Sequence, residues 1–312
     1  MSKEEGLMYT TRRSFAVGGL AALCAGALRA GAELDVERVL KLDRLELKVG
    51  AARPFGALHF SDTHLPLASA ADLAAADDDA RNLHAARSKA LSRSAQAFAA
   101  SLAYAKRQGL LPLHTGDLLD YLSDANIEAA REGLAGTNTF ITPGNHEAMG
   151  FPRSATPRTA AACAAAVERL EKAFRDPFLV ASRVVQGVNF VAFDNGGLSK
   201  HRLKEQLAEL KAAFGKGLPV VLLCHFPPYV PALAQFLKER DAKMGRSKPD
   251  AAYMMCGDKY AAINDFLQSR AELKAVLAGH LHLAWQGELR PGVPLCVAPA
   301  NSGGRAVEIG FS

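Results

Sequence analysis

An α/β fold is the class this chain predicts, on three observations. Apolar runs of four to six residues recur along it, polar residues close each run, and helical segments are interspersed among them. Runs that short and that continuously apolar read as strands buried on both faces. At 312 residues, with 49% hydrophobic and 22% charged content, the chain has enough apolar surface for a large core. No internal repeat or low-complexity linker divides residues 33–312, which read as one domain.

In order, a first strand is expected in LDRLELKV (42–49). Buried strands are expected in ALHF (57–60), LLPLH (110–114), NTFIT (138–142), VNFVAF (188–193), VVLLC (220–224), AVLAG (275–279) and LCVAP (295–299). Between the first two runs, residues 69–108 are Ala-rich. Leu73, Ala76, Ala80, Leu83, Arg87, Leu91, Ser94, Phe98 and Leu102 recur there at helical spacing, as one or two amphipathic helices would have it. The run Asp77-Asp78-Asp79 has no histidine at ligand spacing and reads as a solvated helix face. Further helices are expected over 124–134, 159–174, 200–214 and 258–270. The irregular, polar stretch 231–257 is expected to form a lid or rim.

The formal charge of +5 is mild, and no basic run interleaves with aromatics, so nucleic acid is not an expected partner. At the N-terminus Arg12-Arg13 precede Phe15 and an apolar stretch to Leu28, the twin-arginine export pattern. The stretch is shorter than the roughly 20 residues of a spanning helix and ends in Ala30-Gly31-Ala32, a fitting cleavage site. Residues 1–32 are therefore expected to be a signal peptide read by the twin-arginine machinery, with a periplasmic or other extracytoplasmic destination and no membrane span in the mature form. An uncleaved anchoring helix is the alternative. Loss of the leader removes four basic and two acidic residues and leaves a charge of about +3. Such signals resemble those of proteins that fold around a metal or cofactor before export. Cys163, Cys224, Cys256 and Cys296 remain, without metal-type spacing, and no disulfide is assigned to them.

The ends of the apolar runs carry side chains that folding alone does not require. ALHFS leads into Asp62-Thr63-His64, LLPLHT into Gly116-Asp117-Leu118-Leu119-Asp120, and FITPG into Asn145-His146-Glu147. VVLLC leads into His225 and AVLAG into His280-Leu281-His282. Loops at the carboxyl ends of strands in an α/β sheet converge on one crevice, so five segments aim Asp, Asn and His at one place. Asp62, His64, Asp117, Asn145, His225, His280 and His282 are seven ligands, too many for one catalytic zinc with its three protein ligands. Two ions sharing one carboxylate would use them all. In extended backbone Asp62 and His64, or His280 and His282, would face the same side, while Cys224 would face away from His225. The donor set is nitrogen and oxygen, which suits Mn, Fe or Zn. His59 and His114 fall inside strands and are expected to be buried and hydrogen-bonded; His84 and His201 read as helix-surface residues.

Taken together and in this order, these motifs resemble the full set of the calcineurin-like metallophosphoesterases over residues 57–283. The resemblance implies a four-layer α/β/β/α sandwich and two divalent or trivalent transition metal ions at the strand ends. It places Asp62, His64 and His282 on one ion, Asn145, His225 and His280 on the other, and Asp117 between them. It makes His146 the general acid that protonates the leaving oxygen, with Glu147 and Asp120 orienting His146 and the ligands. The implied activity is hydrolysis of a small-molecule or lipid phosphoester by a metal-bridging hydroxide, as phosphatase or phosphodiesterase. A catalytically inactive metal-binding scaffold of the same fold is the alternative, and it would be expected to have lost His146 or a ligand.

Overall fold

The computed structural model describes residues 35–312. The expected export leader, residues 1–32, lies outside them. Eleven strands run through the described residues: β1 (Lys41–Leu47), β2 (Phe55–Phe60), β3 (Leu111–Thr115), β4 (Phe140–Thr142), β5 (Val180–Val185), β6 (Val188–Phe193), β7 (Val220–Leu223), β8 (Leu273–Ala278), β9 (Trp285–Arg290), β10 (Val293–Val297) and β11 (Arg305–Phe311). They form two sheets, one of order β1-β11-β2-β3-β4 and one of order β5-β6-β7-β8-β10-β9. Strands β2, β3 and β4 run parallel, as do β6, β7, β8 and β10, so their carboxyl ends share one end of each sheet.

The helices are α1 (Val36–Val39), α2 (Ala70–Ala75), α3 (Asp78–Ala90), α4 (Ser94–Gln108), α5 (Asp124–Leu134), α6 (Ala160–Phe174), α7 (Leu203–Phe214), α8 (Pro231–Lys243) and α9 (Ala261–Ser269). Three apolar cores account for four layers. Phe98, Leu102, Ala130 and Leu170 of α4, α5 and α6 pack on Leu58 and Phe60 of the first sheet. Leu210, Leu233, Leu237 and Leu267 of α7, α8 and α9 pack on Val191, Leu222 and Val276 of the second. Leu113, Phe140, Phe190, Leu223, Leu277 and Phe311 fill the space between the sheets. There Phe190 meets Phe55 and Phe311 edge-on, at 6.0 and 5.5 Å between ring centroids. Burying a ring of this size contributes about 1.5–3 kcal/mol, so this seam holds the sheets together as much as it fills space. The α/β/β/α sandwich expected from the sequence is the fold.

Several local expectations differ from the structure. The stretch 69–108 is three helices, because Asp77 caps a new start at Ala80 N–H and Leu91–Arg93 form a turn before α4. Residues 231–243, expected to be irregular, form α8, with Pro231 in its first turn and Leu233, Ala234 and Leu237 buried beneath it. Strands β5, β9 and β11 had no continuous apolar run to mark them. In β5 and β9 exposed residues alternate with more buried ones, as suits strands at a sheet's edge; β11 lies inside its sheet, and its pattern mixes Arg305, Glu308 and Gly310 with apolar residues. The Asp77–Asp79 run is exposed, as expected. The four cysteines of the described residues are free thiols, three of them buried. No helix among the described residues is long and apolar enough to cross a membrane.

Candidate metal centre

The parallel strands deliver their loops to one end, where the two sheets meet. Ser61 at the end of β2 pairs with Ala300, and Asp62 N–H donates to the Gly116 carbonyl beyond β3 at 3.0 Å. Gly279 N–H, beyond β8, donates to the His225 carbonyl beyond β7. All seven expected ligands are brought together. Asp62, His64, Asp117 and His282 present donor atoms within 4.8 Å of one another, and so do Asp117, His225 and His280. Asp117 belongs to both groups. Asn145 Oδ1 completes the second at 3.1 Å from His225 Nε2.

The backbone at these positions is left-handed where extended chain was expected. Of the seven non-glycine residues with positive φ among the described residues, five are Asp62 (56°), His64 (52°), Asp117 (54°), His280 (70°) and His282 (57°). Each such residue costs about 1–3 kcal/mol and persists because its surroundings over-determine it. The tight coil left by alternate left-handed residues still turns both members of each pair inward. Glycine permits the close approach of neighbouring loops. A Cβ on Gly279 would lie 2.8 Å from Asp62 Oδ2, and one on Gly144 would strike the Asp117 carboxylate. Gly144 therefore brings the Asn145 turn against Asp117.

Tautomers are set from behind. His225 Nδ1 donates to the Thr115 carbonyl at 2.8 Å and His280 Nε2 to the Ala252 carbonyl at 2.9 Å. Those bonds leave His225 Nε2 and His280 Nδ1 facing each other and Asp117 with lone pairs free. His64 Nδ1 faces Asp120 Oδ1 at 3.2 Å, which turns His64 Nε2 toward Asp62 and Asp117. Asp62 and Asp117 in turn accept backbone N–H groups from His280 and His146 through one oxygen each.

These groups fit cations on the structure's own terms. Asp62 Oδ1 is buried and takes no backbone or hydroxyl donor; its near neighbour is His282 Nε2 at 3.2 Å, itself an expected ligand. His64 Nε2 and His282 Nε2 point at each other across 3.0 Å. Without an ion one of the two must carry a proton to make that contact a hydrogen bond; with both nitrogens unprotonated, ligand atoms about 2.1 Å from a shared tetrahedral ion lie ~3.4 Å apart, close to the separation seen. The electrostatics agree. Burial opposes charge on His225, yet the carboxylates of Asp117 and Asp62 overcome it and raise its pKa to about 9. Asp62 and Asp117 are themselves held ionised well below the usual carboxylate range against their burial, chiefly by neighbouring histidines. Protons held this way are those a metal displaces on binding.

A third grouping, His64, Asp120 and His146, is of another kind. Arg87 on α3 grips Asp120 with Nε at 2.7 Å and with a second, shorter bond from its terminal nitrogen. A guanidinium already neutralises that carboxylate, so Asp120 serves His64 and His146 rather than an ion. His146 Nδ1 donates to the Asp120 carbonyl at 2.7 Å, leaving Nε2 toward Asp117 at 4.0 Å. Burial works against its charge, but Asp117 and Asp120 raise its pKa to about 9. The Glu147 carboxylate is not hydrogen-bonded to the His146 ring. It accepts backbone N–H groups of Asp117, Leu119 and Gly144 and so ties the β3 and β4 loops together. Burial, with Asp117 beside it, lifts its pKa to about 7.

His59 and His114 are buried and paired with Thr115 and Thr63, and burial lowers both to about 3. His84 is half-buried and bonded to the Tyr121 hydroxyl rather than solvated, while His201 is exposed. Cys224 faces the outer core, away from His225. Sequence reasoning missed three supports: Arg87, the Ala252 carbonyl, and Asn195, whose Oδ1 accepts from the N–H groups of His225 and Phe226. Asn195 follows the run VNFVAF, so the strand-end signal that found the other residues applied to it also.

A two-sheet α/β sandwich that gathers nitrogen and oxygen donors for paired ions at its strand ends defines a class, the metallophosphoesterases. The sequence model of the calcineurin-like phosphoesterases matches residues 57–284. The chain belongs to that family, whose members depend on two metal ions. No curated protein matches it significantly. Among solved structures it is similar in fold to a dimetal phosphatase from Danio rerio, at 13% identity over 80% of this chain and 88% of that one, TM-score 0.49. It is also similar to the phosphopantetheinyl hydrolase of Mycobacterium tuberculosis, at 14% identity over 79% and 90%, TM-score 0.42. A calcineurin-like phosphoesterase from Bacillus subtilis aligns at 11% identity over 80% and 82%, TM-score 0.39.

Proposed function

We propose that the chain is an exported, dinuclear-metal-dependent hydrolase of phosphoesters. The observation that carries this reading is the pair of ligand groups joined at Asp117. Asp62, His64 and His282 would hold one ion, Asn145, His225 and His280 the other, and Asp117 both. Bound there, the ions would supply positive charge for a phosphoryl group and lower the pKa of water from about 15.7 to roughly 7.

The chain's own residues do the rest. The carbonyls of Thr115 and Ala252 keep the His225 and His280 lone pairs aimed at the site. Asp120, held by Arg87, keeps His64 turned inward, and its own carbonyl fixes the His146 ring. Against its burial, and without metal, the carboxylates of Asp117 and Asp120 raise the His146 pKa to about 9, and its ring has Nδ1 anchored and Nε2 free to hand a proton to a departing oxygen. His146 thus acts as general acid without being a ligand. The scaffold alternative lacks an observation in its favour, since every motif residue is in place.

Metal analysis coupled to turnover tests the proposal. Protein loaded with Mn, Fe or Zn should retain two ions per chain and hydrolyse chromogenic mono- or diesters. Two ions without turnover would establish the scaffold instead, and fewer than one ion would refute the centre. For export, the expected result is a mature N-terminus near Glu33 in the extracytoplasmic fraction, abolished by Arg12→Lys with Arg13→Lys.

A further inference from the structure

Beside His146 the surface closes into a cavity of about 190 Å³. Leu83, Tyr121, Met149 and Phe151 wall it, His146 and the Arg87-paired Asp120 line it from the site, and Arg153, exposed, stands at its rim. Tyr121 and Phe151 are stacked, ring centroids 4.7 Å apart and planes 25° from parallel, and both are buried. The Tyr121 hydroxyl is already bonded to His84 Nδ1 at 2.5 Å. These four side chains therefore offer apolar surface, and the carboxylate among the lining, Asp120, is already held by Arg87.

Two cations reach the cavity, and they are not equivalent. Arg87 is taken up by its paired hydrogen bonds to Asp120. Arg153 makes no ion pair among the described residues, so its charge is available to whatever enters. The cavity is of the order of the ~150 Å³ apolar hole that takes one benzene ring, and it is too small for a nucleoside.

The position of His146 decides which part of a substrate comes here. A general acid must reach the oxygen that departs, so the group attached to that oxygen lies on the His146 side of phosphorus. We propose that the cavity receives the leaving group and selects phosphoesters whose leaving group is a single ring carrying an anionic substituent directed to Arg153. The proposal rests on the hydrolytic reading above and adds the substrate class. Apolar walls exclude water around the departing oxygen, and the rim cation supplies the selection.

The metal-loaded full chain tests this with matched esters. 3-Carboxyphenyl and 3-carbamoylphenyl phosphate differ in charge but little in shape or leaving ability. The charged ester should have kcat/KM about three- to fivefold higher, the range of one solvent-exposed ion pair. Arg153→Ala should bring the ratio to about one, and Arg153→Glu should invert it. Benzyl phosphate, whose leaving group fits, should exceed a nucleoside 5′-monophosphate by roughly tenfold, although both release a primary alcohol. Equal rates for the charged and amide esters, or an unchanged ratio in Arg153→Ala, would overturn the cavity's assignment and leave hydrolysis standing. A nucleotide preferred over benzyl phosphate would do the same. Two bound ions with no turnover of any ester would overturn both readings.

Discussion

Around His225 the ring nitrogens of both histidines have partners on their far side, whereas His282 is tied only through the nitrogen that faces the site. His225 is buried, and it and His280 are braced by the carbonyls of Thr115 and Ala252. The His282 side chain is 50% exposed, and its contacts are Asp62 Oδ1 and His64 Nε2, which the proposal assigns to the same ion. One half of the proposed centre is thus built into the fold, while the other would close only on binding its ion. The difference teaches that a ligand set can be complete in sequence and still be unevenly pre-organised, and affinity should follow the bracing.

Asp117 belongs to both halves, so its loss should erase the difference between them. Asp117→Ala is expected to release both ions and lower turnover by on the order of 10³-fold or more, read by metal analysis and initial rates. Next in size is His146→Ala, which should cost about 10²–10⁴ in kcat on esters with poor leaving groups and leave both ions bound. Arg87→Ala leaves the Asp120 carboxylate unneutralised beside His64 and His146. It should lower activity or metal affinity by about 10–100-fold, with Arg87→Lys recovering part of the loss. Smallest in activity terms, but sharpest for the comparison, is a pair of metal-free thermal melts. His225→Ala removes a buried ring together with its bond to the Thr115 carbonyl, which Ser61 Oγ still reaches at 3.0 Å, and should cost about 1–3 kcal/mol, while His282→Ala should stay within about 0.5 kcal/mol. In metal titrations His282→Ala should lose one ion and keep the other; equal losses in both variants would remove the asymmetry.

The ligands were legible in the sequence because strand ends converge in an α/β sheet, and Asp62, Asp117, Asn145, His225 and His280 each follow a buried run. Their backbone was not. An extended Asp62–His64 pair was expected, but the left-handed coil is imposed by neighbouring loops that a single segment does not reveal. Arg87 was hidden in plain periodicity. It occupies a helical position of α3, and only the fold brings it to Asp120, 33 residues on. The Ala252 carbonyl is a group every residue carries, so nothing in its sequence marks it. The stretch 231–257, expected as a lid or rim, proves to be α8 followed by turns, one of which supplies that carbonyl. The strands overlooked were those with polar residues mixed into their apolar pattern, where a search for continuous runs finds little.

The central claim is that two ions share Asp117, and electron paramagnetic resonance of the Mn(II)-loaded protein tests it most directly. At two equivalents the spectrum should be that of an exchange-coupled pair, giving way in the His282→Ala variant to a single uncoupled ion. Two magnetically isolated ions in the native protein, or one ion at saturation, would contradict it.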